Sequence, residues 1–238
     1  MFGIASAPEI YQYQIQKAIS GLEGCQNYAD DIIIYGASKS EHDQRLSEFL
    51  ERMKQLGLTL NPTKCQFGLE KVSYVGYKIS GQGVGISQKK LTAILESRAL
   101  KDVTELRSWM GLVNFVGRFV DNLSTHAEPL LRLTKKDTKF VWGSEQEAAF
   151  SKVKALMADS KTLAFFDASA QTKVTADASL HGLGTVLTQS INGVERVIAY
   201  GHRSLSAVER RYSQTEREAL GLVWACEHFA LYLLGVRF

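Results

Sequence analysis

Apolar positions along this chain change spacing several times, and each change marks an element. Over residues 8–20 they recur at helical intervals, with Ile10, Ile15 and Ile19 as the predicted buried stripe and Pro8 in the first turn. Residues 25–36, CQNYADDIIIYG, read as two short strands, because the isoleucine run at 32–34 is β-branched and too short for a helix. Ser40 is the predicted cap of the next helix, with Asp43 in its first turn. Leu46, Phe49, Leu50 and Met53 form its apolar face, and Gly57 closes it. KVSYVGYKISGQGVGI then alternates, with Val72, Tyr74 and Gly76 on one parity, and predicts a strand pair ending in a glycine-rich turn.

From residue 87 to 136 the period is helical. Asp102 with Glu105 predicts a capping box for a helix carrying Leu106, Trp109, Val113, Val116 and Val120, and Ser144 with Glu147 predicts another, opening a helix to about Ala158. After Leu163 alternation returns, and Asn192-Gly193 between apolar runs is a hairpin signal. Ser213 with Glu216 caps a long final helix bearing Leu220, Val223, Trp224 and Leu231. The pattern is two α/β pieces around a helical middle, joined within 136–162, which places the fold in the α+β or α/β class.

The 238 residues suffice for one large or two small domains, and 45% hydrophobic with 22% charged residues is ordinary for a globular protein. A formal net charge of +3 permits a polyanionic partner without demanding one. Cys25, Cys65 and Cys226 are far apart and form no CxxC pair, which argues against a zinc site or disulfide framework and fits a reducing intracellular setting. No run approaches eighteen apolar residues, so a membrane partner is not expected.

Candidate chemistry rests on two carboxylate pairs. Asp30 and Asp31 adjoin the isoleucine run, where their mutual repulsion suits either a solvated turn or hard oxygen ligands of a divalent cation. Asp177 ends a predicted strand and Glu218 lies near a helix start, an arrangement that serves as a metal pair or, for the glutamate, as a partner of the helix dipole. Glu216 is the rival for that second position. The five histidines show no metal-ligand spacing, and Trp109, Phe115 and Phe119 read as core.

Six ordered blocks carry a resemblance: FGIASAPEIYQ, YADDIIIYG, LTLNPTKCQFGLEKVSYVGYKIS, ELRSWMGLVNFVGRFVDNLSTHAEPLLRLTKK, TADASLHGLGTVLTQ and RRYSQTEREALGLVWACEHFALYLLG. Together they resemble the reverse transcriptase of gypsy-like LTR retrotransposons followed by its ribonuclease H domain. The resemblance implies a partial palm at 1–80, helical thumb and connection at 81–140, a linker helix at 141–161, and a partial ribonuclease H-like α/β domain at 162–238. It implies Asp30 and Asp31 as metal-binding polymerase carboxylates within Tyr28-Ala29-Asp30-Asp31, with Asp177 and Glu218 as those of the nuclease. Phe2, Gly3, Ser6, Pro8 and Tyr28 would line the nucleotide and template, Lys64 would contact the triphosphate, and Val75, Gly76 and Tyr77 would form the primer grip.

The implied cofactor is Mg2+ or Mn2+. The implied partners are RNA–DNA hybrid, primer–template, deoxynucleoside triphosphates and the remainder of a polyprotein, in a virus-like particle or nucleus. The family's first palm carboxylate would precede residue 1 and its third nuclease carboxylate would follow residue 238. The expectation is therefore a partial chain, inactive by itself. The alternatives are a non-catalytic nucleic-acid binder with a basic patch of Lys89, Lys90, Arg98 and Lys101, or a decayed product that does not fold.

Overall fold

The structure, a computed structural model, describes residues 4–136 and 138–238, and the chain divides after Val75 into two compact units. In the first unit, α1 (Ala7–Ile19) precedes the antiparallel hairpin β1 (Cys25–Tyr28) and β2 (Asp31–Ile34), followed by α2 (Lys39–Gln55) and β3 (Lys71–Tyr74). Ala18, Ile19, Cys25, Phe49 and Met53 make its core, with Leu22, Ile32 and Ile34 against it.

Only the second half of α1 packs onto this core. Ile15, Ala18 and Ile19 are buried, whereas Ile10, predicted in the stripe, is 58% exposed. The cap of α2 is Ser38, not Ser40. Glu41 stands three residues after Ser38 and returns a carboxylate to the Ala37 amide, while Asp43, the corresponding residue for Ser40, is engaged with His42. Leu50, expected on the apolar face, is exposed.

Alternation through residues 72–76 predicts a continuous strand, but β3 ends at Tyr74. Val75 has φ 50 and Gly76 φ 78, so both leave the extended region. In the second unit β4 (Tyr77–Ser80) pairs antiparallel with β5 (Gly83–Ile86). Helices α3 (Gln88–Leu95), α4 (Val103–Phe115), α5 (Leu123–His126), α6 (Glu128–Leu133) and α7 (Ser144–Ala158) follow, with a 3-10 turn at Gly117–Phe119.

Asp102 caps α4 as expected, accepting from the Thr104 and Glu105 amides. The helix stops at Phe115, so Val116 and Val120 reach the core from irregular chain. Ser144 does not cap α7. Gly143 occupies that position and donates to Gln146, while Glu147 accepts from the Trp142 indole at 2.7 Å.

The C-terminal sheet is a meander of β6 (Gln171–Ala178), β7 (Gly182–Ile191) and β8 (Val194–Ser204). Its second turn is Asn192-Gly193 with φ 52 and 75, the doubly positive φ that this dipeptide favours. The fully buried Gln189 amide clamps the approach to β6, accepting from the Asp167 amide and donating to Asp167 O and Thr172 Oγ1.

Ser213 and Glu216 form the expected capping box of α8 (Gln214–His228), which packs on β6 and is followed by α9 (Ala230–Leu233). The most buried residues of α8 are Arg217, Gly221 and Ala225; of the predicted stripe Leu220 and Trp224 pack against Ala178, Leu183 and Leu205, whereas Val223 is exposed and Leu231, in α9, is 93% exposed. Close approach to the sheet selects small residues here. A Cβ built on Gly221 would stand 3.8 Å from Ala176 Cβ.

Burial pushes the His202 imidazole down to about 4, with His228 adding to the effect. The folded value lies below the unfolded one, so between about pH 6.5 and 4 only the unfolded chain takes up this proton, and stability falls as pH drops through that window. The loss is expected to reach roughly 3 kcal/mol at pH 4. Urea midpoints of the second unit across this range should show it, and His202→Gln should flatten the curve.

Two candidate carboxylate sites

Asp30 and Asp31 stand at the tip of the first hairpin. The register pairs Tyr28 with Asp31, leaving Ala29-Asp30 as a two-residue connection. Ile32 and Ile34 anchor β2 to the core, and period 2 turns Asp31 to the other parity. Both carboxylates are exposed. Ala29 holds φ 52, a left-handed conformation that costs a non-glycine residue about 1 kcal/mol or more, and its amide donates to Gln12 Oε1 of α1. A mildly strained tip whose two carboxylates accept no hydrogen bond among the described residues suits a positioned ligand pair. The Tyr74 hydroxyl is pushed up by burial and further by the negative charge of Asp31, which shows that β3 lies within that carboxylate's field.

Ser6 and Pro8 begin α1, and Phe2 and Gly3 lie outside the described residues. Lys64 sits in a loop closed by Asn61, whose Oδ1 accepts from Thr63 N and Oγ1. Among the described residues, the ion pairs of this unit join His42 to Asp43 and Arg45 to Glu23 and Glu41, so Lys64 pairs with neither Asp30 nor Asp31. Val75 closes the first unit and Gly76 and Tyr77 open the second.

Tyr77 stacks on Phe115 with centroids 5.1 Å apart, and Lys90 Nζ lies 3.8 Å over the Phe115 ring. A Cβ on Gly76 would fall 2.4 Å from Lys90 Cε. Lys90 of the predicted basic patch thus stands against two primer-grip candidates. Phe115, expected in the core, is 40% exposed and forms this platform.

In the second unit, Asp177 is the penultimate residue of β6, opposite Gly184, and its Oδ1 accepts from the Ala178 amide at 2.9 Å. Gly221 of α8 faces this strand end, since its built Cβ would lie 3.9 Å from Asp177 O. At 3.6 residues per turn, Glu218 lies about 60° around the helix from Gly221 and Glu216 about 140°. Glu216 is also occupied: its Oε2 accepts from Ser213 N and Oγ at 2.8 Å each. Those bonds hold its carboxyl below the usual range. Glu218 is therefore the glutamate on the Asp177 side.

Three residues were missed in the sequence. Gln214 Nε2 donates to Glu218 Oε1 at 2.9 Å and to Ala178 O at 3.4 Å, and the buried Arg217 donates to Gln214 Oε1 at 2.7 Å. Asp121 has its carboxyl pushed up by burial, with the charge of Asp177 adding and the Asn122 amide opposing. No local pattern links residues so distant in sequence; only packing of the Asp121 segment on β7, where Gly184 meets Asn122, brings Asp121 near.

Each candidate is a pair of hard oxygen ligands suited to a divalent cation such as Mg2+ or Mn2+. Among the described residues, no three histidine, cysteine, aspartate or glutamate side chains converge into one ligand set.

Comparison with known proteins places both segments by family. Residues 1–79 match the family described as reverse transcriptase (RNA-dependent DNA polymerase), and residues 142–238 match the RNase H-like domain found in reverse transcriptase. The chain is 32% identical over its whole length to the retrovirus-related Pol polyprotein from transposon 412 of Drosophila melanogaster. It is 30% identical over 98% of its length to the transposon Tf2-3 polyprotein of Schizosaccharomyces pombe. It spans 19% and 18% of those relatives, about a fifth of their length.

Among solved structures, foamy viral protease-reverse transcriptase in complex with RNA/DNA hybrid superposes with a TM-score of 0.86 at 22% identity, over 99% of this chain and 32% of that one. The same enzyme with dsDNA gives a TM-score of 0.87 at 22% identity, over 98% and 49%. Residues 1–79 are therefore reverse-transcriptase sequence and residues 142–238 the RNase H-like domain found in reverse transcriptases, in a chain related along its length to the polyproteins of LTR retrotransposons.

Proposed function

We propose that this chain supplies metal-binding carboxylates to an RNA-directed DNA polymerase and to a ribonuclease H. Residues 1–80 serve as palm, 81–140 as thumb and connection, 141–161 as linker helix and 162–238 as the nuclease domain. The observations that carry the reading are a strained Ala29-Asp30 hairpin tip and a strand-end Asp177 whose backbone carbonyl lies against Gly221 of α8, one turn from Glu218.

Asp30 and Asp31 would hold Mg2+ or Mn2+ at the polymerase site, and Asp177 and Glu218 at the nuclease site. Divalent ions bound there would supply charge neutralisation and lower the pKa of the attacking hydroxyl or water. The chain's own residues fix where that chemistry happens. The hairpin register would present Asp30 and Asp31 together at one tip, and the end of β6 and the start of α8 would supply Asp177 and Glu218. Phe2, Gly3, Ser6, Pro8 and Tyr28 would border the deoxynucleoside triphosphate and template strand, with Lys64 near the phosphates. Val75, Gly76 and Tyr77 would hold the primer end, with Lys90 available to a backbone phosphate.

The partners are primer–template and RNA–DNA hybrid, recognised by phosphate and 2′-hydroxyl contacts. Foamy viral enzymes of the same fold are complexed with RNA/DNA hybrid and dsDNA. No described helix is long and apolar enough to cross a membrane, and we place the protein inside the cell, working with the rest of a polyprotein.

Among the described residues two candidate ligands mark each site, and we expect the 238-residue chain alone to bind hybrid without turnover. The test is a chimera in which residues 1–238 replace the matching segment of the transposon 412 polyprotein. It should extend a primer and cut the RNA of a hybrid in Mg2+. A chimera that folds and binds hybrid but does neither contradicts the reading.

A further inference from the structure

We infer that Gln214 is a positioning residue for Glu218, held in its working orientation by the buried Arg217. The inference rests on the assignment of Asp177 and Glu218 as a metal pair. Glu218 is exposed in the second turn of α8, where a glutamate otherwise samples several rotamers. The Gln214 amide bridges the two elements of the site: Nε2 donates to Glu218 Oε1 at 2.9 Å and to the carbonyl of Ala178, the residue after Asp177, at 3.4 Å.

An amide can present either end, and the reverse orientation would set its oxygen against the carboxylate and the carbonyl. Arg217 removes that choice. It is 7% exposed, donates at 2.7 Å to Gln214 Oε1, and is itself tethered at 3.2 Å to Tyr212 O. A guanidinium carries only donors, so Gln214 must offer it oxygen, and the NH2 then points to Glu218. Among the described residues Arg217 Nε is buried without a partner, so its hydrogen bonds here run through the fork nitrogens.

Partners that orient ligating carboxylates affect metal affinity tenfold or more when removed. The test is Mn2+ titration of the full 238-residue chain, followed by the EPR signal of free ion, in an Asp30→Asn/Asp31→Asn background that removes the other pair. Gln214→Leu is expected to weaken Mn2+ binding about tenfold at a temperature where the variant remains folded. Arg217→Lys keeps the charge but loses the fork, and should weaken binding while adding nothing in the Gln214→Leu/Arg217→Lys double variant.

Tight Mn2+ binding that Asp177→Asn and Glu218→Gln abolish but Gln214→Leu leaves intact overturns the positioning role alone. Additive losses in the double variant overturn the part given to Arg217. Binding indifferent to Asp177→Asn and Glu218→Gln overturns the metal-pair assignment, and the inference with it.

Discussion

Asp30→Asn in the chimeric enzyme is expected to lower primer extension by on the order of 10³-fold while leaving RNA cleavage near its starting rate. Asp177→Asn is expected to do the reverse. Asparagine keeps the size of aspartate and one oxygen but removes the charge that a divalent cation needs, so neither change should disturb folding. Asp30 is exposed at a hairpin tip, and Asp177 is exposed with only the adjacent Ala178 amide on its Oδ1. The separation of effects is the informative part, because the two pairs lie in different compact units. A factor of 10³ corresponds to about 4 kcal/mol of transition-state stabilisation. Steady-state extension and hydrolysis assays on the same preparations decide it. Loss of both activities in either variant would mean that the two pairs do not act as separate sites.

The largest structural effect is expected at Gly83. Its φ is 132, and a Cβ placed there would lie 1.9 Å from the carbonyl oxygen of Leu163. Backbone cannot swing away as a long side chain can. Here the contact also carries two hydrogen bonds of 2.8 Å between Val84 and Leu163, joining β5 to the segment that leads into the C-terminal sheet. Gly83→Ala combines a forbidden dihedral with a backbone clash and is expected to cost roughly 4 kcal/mol or more. Gly81, two residues away, has nothing within 4 Å of its built Cβ, and Gly81→Ala should cost under about 1 kcal/mol. Urea unfolding of the two variants side by side separates a local clash from general intolerance of the β4–β5 turn.

Much of this was legible in the sequence wherever one local rule acted without competition. The Asp30-Asp31 hairpin follows from a β-branched run beside a two-residue turn, Asn192-Gly193 demands doubly positive φ, and Ser213 with Glu216 closes a capping box on itself. Where two rules competed, reading failed. Ser38 and Ser40 both fit a cap, and the choice fell to Glu41, which serves only Ser38. Ser144 lost its capping role because Trp142 took Glu147. Apolar stripes misled on α1 and α8, because packing partners cover only part of each helix. On α8 the sheet selects Gly221 and Ala225 over larger residues.

The sites divide in the same way. The candidate carboxylates are visible in the sequence by type and position, and helix geometry with the Ser213 bonds of Glu216 favours Glu218 as the proposed partner of Asp177. Gln214, Arg217 and Asp121 carry no signal in one sequence. Within α8 the Gln214–Glu218 and Gln214–Arg217 bonds are local, while the bond from Gln214 to Ala178 and the field of Asp177 at Asp121 arise only from tertiary packing.

The central claim is that divalent cations bind at Asp30 with Asp31 and at Asp177 with Glu218. Iron(II) with ascorbate and peroxide generates radicals that cut a polypeptide beside the bound ion, so the purified 238-residue chain can report its own sites without turning over. The account predicts cuts near residues 30–31, 177 and 218, suppressed by excess Mg2+. Asp30→Asn should remove the first cut only, and Asp177→Asn the other two only. Diffuse cleavage, or cuts indifferent to Mg2+ and to both substitutions, would contradict it.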